Sequence, residues 1–239
     1  MSVVGGVTVY CDPHTYPTAR EVHFITRDLH LEVAVGIHPK HDLTSDQFDR
    51  LYSLSRMREV RILGEIGLDH TRPPLDWYRQ ENLFRRVLNR CYAHHQHRVV
   101  YLHLRGMAGD PTAGECYSRA LDNLRLSRIP REQRLLLHNY TSTVAIADAF
   151  RHHFPAMLFS FSLAVSGFNN QQRQACRHIE AVDDRRLLLE SDGPHFAPAG
   201  HRVGSPHLLW ATAAAVGEVL GREPCQILDL TWKNGRDLF

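Results

Sequence analysis

LGEIGLDH (Leu63–His70), VVYLHLRG (Val99–Gly106), LLLHNYT (Leu135–Thr141) and LLLESDGPHFAP (Leu187–Pro198) share one design. Each begins as an apolar run of strand length and presents one residue able to bind a metal: Glu65, His103, His138 and Asp192. A single strand ending in a histidine says little. Four such strands in succession, separated by helix-like stretches, predict a parallel barrel in which the strand C-termini meet at one face. Two imidazoles and two carboxylates suit zinc, and also accept manganese or magnesium.

Working outward, apolar strand-like runs and helical stripes alternate along the whole chain, which argues for βα units around a parallel sheet. The strand candidates are Val7–Tyr10, Leu31–Ile37, Val60–Leu68, Arg98–Leu104, Arg134–His138, Ala156–Phe161 and Arg186–Glu190. Leu83, Val87, Leu88, Cys91 and Tyr92 form a helical stripe within Tyr78–His95. Asn169 or Asn170 caps a helix running to His178, and two more helices, roughly Pro206–Leu220 and Pro224–Leu238, close the chain. The expected fold class is therefore α/β, a TIM-type (β/α) barrel in a single domain over residues 1–239. Seven strands are visible where a closed barrel needs eight. The even spacing, with the first strand starting near the N-terminus, predicts that the first strand is missing. An open seven-stranded barrel is the plainer alternative. A doubly wound open sheet is the third, but no GxGxxG follows a strand.

Composition supports a globular chain. Of 239 residues, 43% are hydrophobic, enough for a sizeable core, and 23% are charged. No apolar run approaches the about 20 residues of a membrane span, so no membrane partner is expected. MSVVGGVTVYC lacks a basic leader and does not read as a signal peptide. The five cysteines form no CxxC pair, which fits reduced thiols in a cytoplasmic or nuclear protein. A net charge of +2 gives no broad basic field, so any nucleic-acid contact must be local. No obligate protein partner is evident. Histidine is abundant, at 17 residues, and makes ligand-like spacings by accident more frequent.

The motifs resemble those of the TatD-type deoxyribonucleases, metal-dependent members of the amidohydrolase-like TIM barrels. AVGIHPK (Ala34–Lys40) looks like that family's GxHPH, and GEIGLDH is similar to its GEIGLDY. VVYLHLRG resembles VxIHSR, LLLHNYTS resembles HCFTG, and LLLESDGPHFAP resembles LLLETDAPYLxP. TWKNGRDLF (Thr231–Phe239) resembles the terminal NxxRLF. Each motif is weak alone; six in the same order over nearly the whole chain are specific. One departure stands out. The family opens with a strand ending in an HxH pair that supplies two ligands of a binuclear centre, and this N-terminus carries only His14, in VYCDPHTYP.

The resemblance implies a metal-dependent hydrolase of DNA phosphodiesters, with DNA as partner. It implies Glu65 as a shared metal ligand and His103 and His138 as ligands of one metal. Asp192 is then ligand of a second metal and acceptor of the attacking water's proton. Arg105 matches the family's phosphate-contacting arginine, and His38 and His195 are substrate-binding candidates at strand ends. Blander readings exist for each. His103 or His138 alone reads as a satisfied core histidine, Glu65 as solvent-facing or paired with an arginine, and Asp192 as an Asx turn onto Pro194. Arg105, His38 and His195 read equally as surface residues. Asp69 reads as a loop-former. Glu190 shares the face of Asp192 but lies deeper, and no role is given to it. The histidines of YAHHQHR (Tyr92–Arg98) read as a solvated helix end at the far side of the barrel. The rival functional reading is a catalytically weakened or inactive relative acting as a binding module, or a partial gene product, because the HxH pair is missing.

Overall fold

The computed structural model describes residues 5–93 and 97–238. Seven strands form one sheet in chain order: β1 (Val7–Tyr10), β2 (Glu32–Val35), β3 (Val60–Asp69), β4 (Val99–Arg105), β5 (Arg134–His138), β6 (Leu158–Phe161) and β7 (Leu187–Leu189). Every neighbouring pair is parallel. Parallel pairing requires a crossover between strands, and helices provide it. These are α1 (Ala19–Arg27), α2 (Ser45–Ser55), α3 (Pro74–Cys91), α4 (Gly114–Leu126), α5 (Val144–His153) and α6 (Asn170–Asp183). Helices α7 (Leu209–Leu220) and α8 (Pro224–Leu238) follow β7. The expected TIM-type architecture is thus present as a half-barrel. Among the described residues β1 pairs only with β2 and β7 only with β6, so the sheet is open between them.

The sheet has two apolar faces because its strands alternate. One face packs on the helices and carries the main core, including Val35, Leu63, Leu102, Leu137 and Phe159, all fully buried. The concave face carries a smaller cluster of Ala34, Ile62, Val99, Leu136, Leu158 and Leu188, with Val9 and Tyr101 packed on it. Helix starts follow local chemistry. The side chains of Thr18, Thr44 and Asn169 each accept from the N–H of the third helical residue, and their own N–H groups donate to the side chains of Glu21, Gln47 and Gln172, a reciprocal cap. Of the two caps the sequence offers for α6, Asn169 is the one used, and Asn170 is the first helical residue. Helix α3 starts four residues earlier than its apolar stripe indicates, because Pro74 pre-sets the first turn, and it stops at Cys91.

The stop at Cys91 corrects one reading. His94 and His95 lie outside the described residues, but His97 is buried, not solvated. Its Nδ1 accepts from Ala93 N–H at 2.9 Å, and its Nε2 lies 3.1 Å from the Ser55 carbonyl. Both ring nitrogens are used by backbone, and burial draws the imidazole down to about 4.

Strand β3 carries an irregularity that matters for the site. Leu63 faces Val100 and Ile66 faces Leu102, so β3 takes three residue steps where β4 takes two. A bulge of this kind re-aims the side chain at the extra position, here Glu65. The flanking glycines permit it. Gly64 (φ +153°) and Gly67 (φ +146°) adopt backbone that side chains resist, and a Cβ there would lie 2.4 Å from the Tyr101 carbonyl oxygen and 2.1 Å from that of His103.

Candidate metal centre

The period of two along a strand sets which side chains meet. Two residues beyond the concave-face cluster, toward the C-terminal end, each strand presents a small or polar residue. Tyr101 is followed by His103, Leu136 by His138, Leu158 by Ser160, Leu188 by Glu190, and Val9 by Cys11. The bulge adds Glu65 to the same layer, and Asp192 stands two residues past Glu190.

These groups touch. Glu65 Oε1 lies 2.6 Å from His103 Nδ1 and 3.5 Å from His138 Nε2. His138 Nε2 is 3.6 Å from Asp192 Oδ1. The four residues named by the sequence motifs therefore converge through Glu65 and His138. The second ring nitrogens face other carboxylates. His103 Nε2 is 3.1 Å from Asp69 Oδ2, which also receives Lys40 Nζ at 3.1 Å. His138 Nδ1 is 2.9 Å from Glu190 Oε2, and Glu190 Oε2 further accepts from Ser160 Oγ at 2.6 Å and Tyr101 OH at 3.2 Å. Glu65 Oε2, the oxygen turned away from the imidazoles, accepts from the Cys11 thiol at 3.6 Å.

The electrostatics follow from packing carboxylates and imidazoles in a dry layer. Burial would lower His138, but Glu190, Glu65 and Asp192 outweigh it and hold the imidazole up at about 10. Burial would raise Glu65, yet His138 and His103 keep its carboxyl well below the usual carboxylate range. Asp192 goes the other way. Burial, with Glu190 and Glu65 adding their charge, raises it to about 6 against the pull of His138. Burial lowers His38 to about 3.

The remaining sequence candidates distribute around this layer. His38, Glu65 and His103 each offer a donor atom within 4.8 Å of the others, a group able to hold a cation. The His38 ring stands 4.4 Å from that of His103, and its Nδ1 accepts from Lys40 N–H at 3.2 Å. The loop that carries His38 is held by Arg79 of α3, which donates to the carbonyls of Pro39 and His41 and pairs with Asp42 and Asp76. Arg105 ends β4 opposite Asp69 with its side chain exposed. His195 is exposed in the turn after Asp192, its N–H bonded to the Asp192 carbonyl at 2.8 Å. Asp192 itself has φ +46°, a left-handed backbone that turns the chain away from β7. Asp69 does fix the loop, accepting from Thr71 N–H, but it also backs His103. A separate concavity of about 450 Å³, lined by His97, Gln133, Arg134 and Arg236, opens at the start of β4 and β5, away from these groups.

The donor set fits a divalent metal. Nitrogen and oxygen ligands of one zinc ion stand roughly 3.4 Å apart at ~2.1 Å bonds and tetrahedral angles. The 3.5 Å separation of His138 Nε2 from Glu65 Oε1 is of that size. The shorter His103–Glu65 contact is a hydrogen bond, with a proton where a cation would stand. A ligating imidazole keeps its other nitrogen on an acceptor, and Asp69 and Glu190 provide one each.

Comparison with known proteins gives a consistent result. A family model described as TatD related DNase matches residues 2–239. A curated relative, the 3'-5' ssDNA/RNA exonuclease TatD of Pantoea ananatis, is 27% identical over 173 residues. The match takes in 70% of this chain and 59% of that relative's length. Among solved structures, YJJV, a TatD homologue from Escherichia coli, superposes with a TM-score of 0.76 at 19% identity, covering 99% of this chain and 86% of that one. An uncharacterized amidohydrolase from Saccharomyces cerevisiae gives 0.73 at 15% identity, over 98% and 88%. At these identities the two structures speak to the fold.

Proposed function

This chain belongs to the TatD-related DNase family, and on that premise we propose that it is a metal-dependent hydrolase of nucleic-acid phosphodiesters, acting on DNA. The observation that carries the reading is the convergence of Glu65, His103, His138 and Asp192 on one concave layer, with Asp69 and Glu190 behind the two imidazoles. Glu65, His103 and His138 would hold a first divalent metal, zinc best and manganese or magnesium less well. Asp192 and the far oxygen of Glu65 would face a second. A bound metal supplies Lewis-acid stabilisation of charge on the phosphoryl oxygens and acidifies water.

The chain's own residues do the rest. Glu190 and Asp69 hold the outer ring nitrogens of His138 and His103, so the inward nitrogen of each is the one that would be offered to a metal. Asp192, raised to about 6, is an ionised carboxylate at neutral pH and close enough to water's working range to accept its proton. Arg105, exposed at the end of β4, binds a substrate phosphate through its guanidinium. His38 is a substrate contact rather than a ligand. Its Nδ1 already accepts Lys40 N–H, so the neutral ring keeps its proton on Nε2 and donates it to a phosphate oxygen. His195 lies on the exposed rim, where a substrate strand would pass.

The test is cleavage of a labelled single-stranded DNA by the full chain, stripped with chelator and then given zinc, cobalt, manganese or magnesium in turn. Metal-dependent cleavage that falls at least about 100-fold in Glu65→Gln supports the reading. Metal binding without cleavage favours the binding-module rival. Equal cleavage by Glu65→Gln overturns the assignment of the site.

A further inference from the structure

The mechanism above leaves one nucleophilic group unused inside the layer. Cys11 follows β1 directly, two residues beyond Val9, which packs on the concave-face cluster. It therefore occupies on β1 the position that His103 occupies on β4 and His138 on β5. The other four cysteines differ: Cys91, Cys116 and Cys176 are buried and Cys225 is exposed on α8. Cys91 and Cys116 lie in the helix-side core, as does Cys176.

Glu65 divides its carboxylate between two neighbourhoods. Oε1 faces the imidazoles of His103 and His138. Oε2 faces the thiol, with Sγ at 3.6 Å. A sulfur and an oxygen bound to one zinc, at ~2.3 and ~2.1 Å with a tetrahedral angle, stand about 3.6 Å apart.

We infer that Cys11 is a thiolate ligand of the metal centre, on the Glu65 Oε2 side, and that it biases the site toward zinc-like ions over magnesium. The inference rests on the metal reading proposed above. Binding replaces the S–H bond by a dative bond from sulfur. The proton leaves to solvent, and no oxidation state changes. A bound divalent ion is the local charge that stabilises a thiolate. Sulfur is a soft donor, and magnesium and manganese favour oxygen.

Cobalt(II) tests this because thiolate coordination adds an intense near-ultraviolet charge-transfer band to the visible ligand-field bands. The full chain is stripped, loaded with cobalt and freed of excess metal; cobalt content and spectrum are then recorded for the parent, Cys11→Ser and Cys225→Ser. The expected result is a charge-transfer band in the parent and in Cys225→Ser, lost in Cys11→Ser, which keeps its visible bands. In the parent, peptide mapping should find Cys11 protected from alkylation by cobalt, a readout that does not depend on any variant folding. Bound cobalt with visible bands but no thiolate band, and Cys11 alkylated equally with and without metal, overturns the inference and leaves the metal centre standing. A chain that retains no cobalt overturns both.

Discussion

Glu190 is the residue whose role the sequence conceals. Its spacing from Leu188 and Asp192 puts it on the concave face, and its depth below the strand end is also readable from spacing. That it meets His138 Nδ1, together with Tyr101 and Ser160, is a contact across three strands that no local pattern encodes. Asp69 is a similar case, since its Asx turn onto Thr71 is legible while its bond to His103 is not. The four candidate ligands are legible because each interrupts or closely follows an apolar run of strand length, where a buried polar group needs a partner. Removing the carboxylate charge behind His138 should weaken metal binding without dismantling the layer, because the amide keeps the shape. Glu190→Gln is expected to lower zinc affinity about 10- to 100-fold, measured by competition with a chromophoric chelator. An unchanged affinity would mean that Glu190 does not orient the imidazole.

At the scale of elements, apolar runs of strand length identify all seven strands; β1 and β5 match at both ends, and no other end differs by more than two residues. Strand β2 is Glu32–Val35 rather than Leu31–Ile37, because Gly36 and Ile37 already turn toward the loop that Arg79 holds. The bulge in β3 was not legible, since GEIG reads as an ordinary strand segment until the pairing with β4 is seen. That bulge delivers Glu65 to the layer, and the glycines on either side of it, Gly64 and Gly67, leave no room for a side chain. A Cβ at Gly67 would meet the His103 carbonyl, backbone that cannot swing aside, at a φ unfavourable for alanine. Gly67→Ala is therefore expected to cost about 3 kcal/mol or more in urea unfolding. A cost below about 1 kcal/mol would show that the two strands are not held this closely.

For the whole molecule, the alternation of strands and helices fixed the half-barrel, while the burial of His97 shows where composition misleads. A histidine-rich stretch reads as solvated, yet the His97 ring is buried between the Ala93 N–H and the Ser55 carbonyl. Burial draws His97 to about 4, against about 6.5 in an unfolded chain. Between those values the unfolded state binds the extra proton, so stability rises with pH through this window. The contribution is fully present above about pH 6.5 and is lost as pH falls through about 4, roughly 3 kcal/mol in all. His97→Gln should flatten the urea-stability profile between pH 7 and 4 relative to the parent. An identical slope would mean that the ring is not buried neutral. The wider claim is that one concave layer, fed by five strands and the turn after β7, is a divalent-metal centre. The most direct measurement is anomalous diffraction at the zinc edge from crystals of the zinc-loaded chain. The expected result is a peak bonded to His103 Nδ1, His138 Nε2 and Glu65 at about 2.0–2.2 Å. A zinc-loaded crystal with no peak there, or with its peak only on histidines outside the layer, would contradict it.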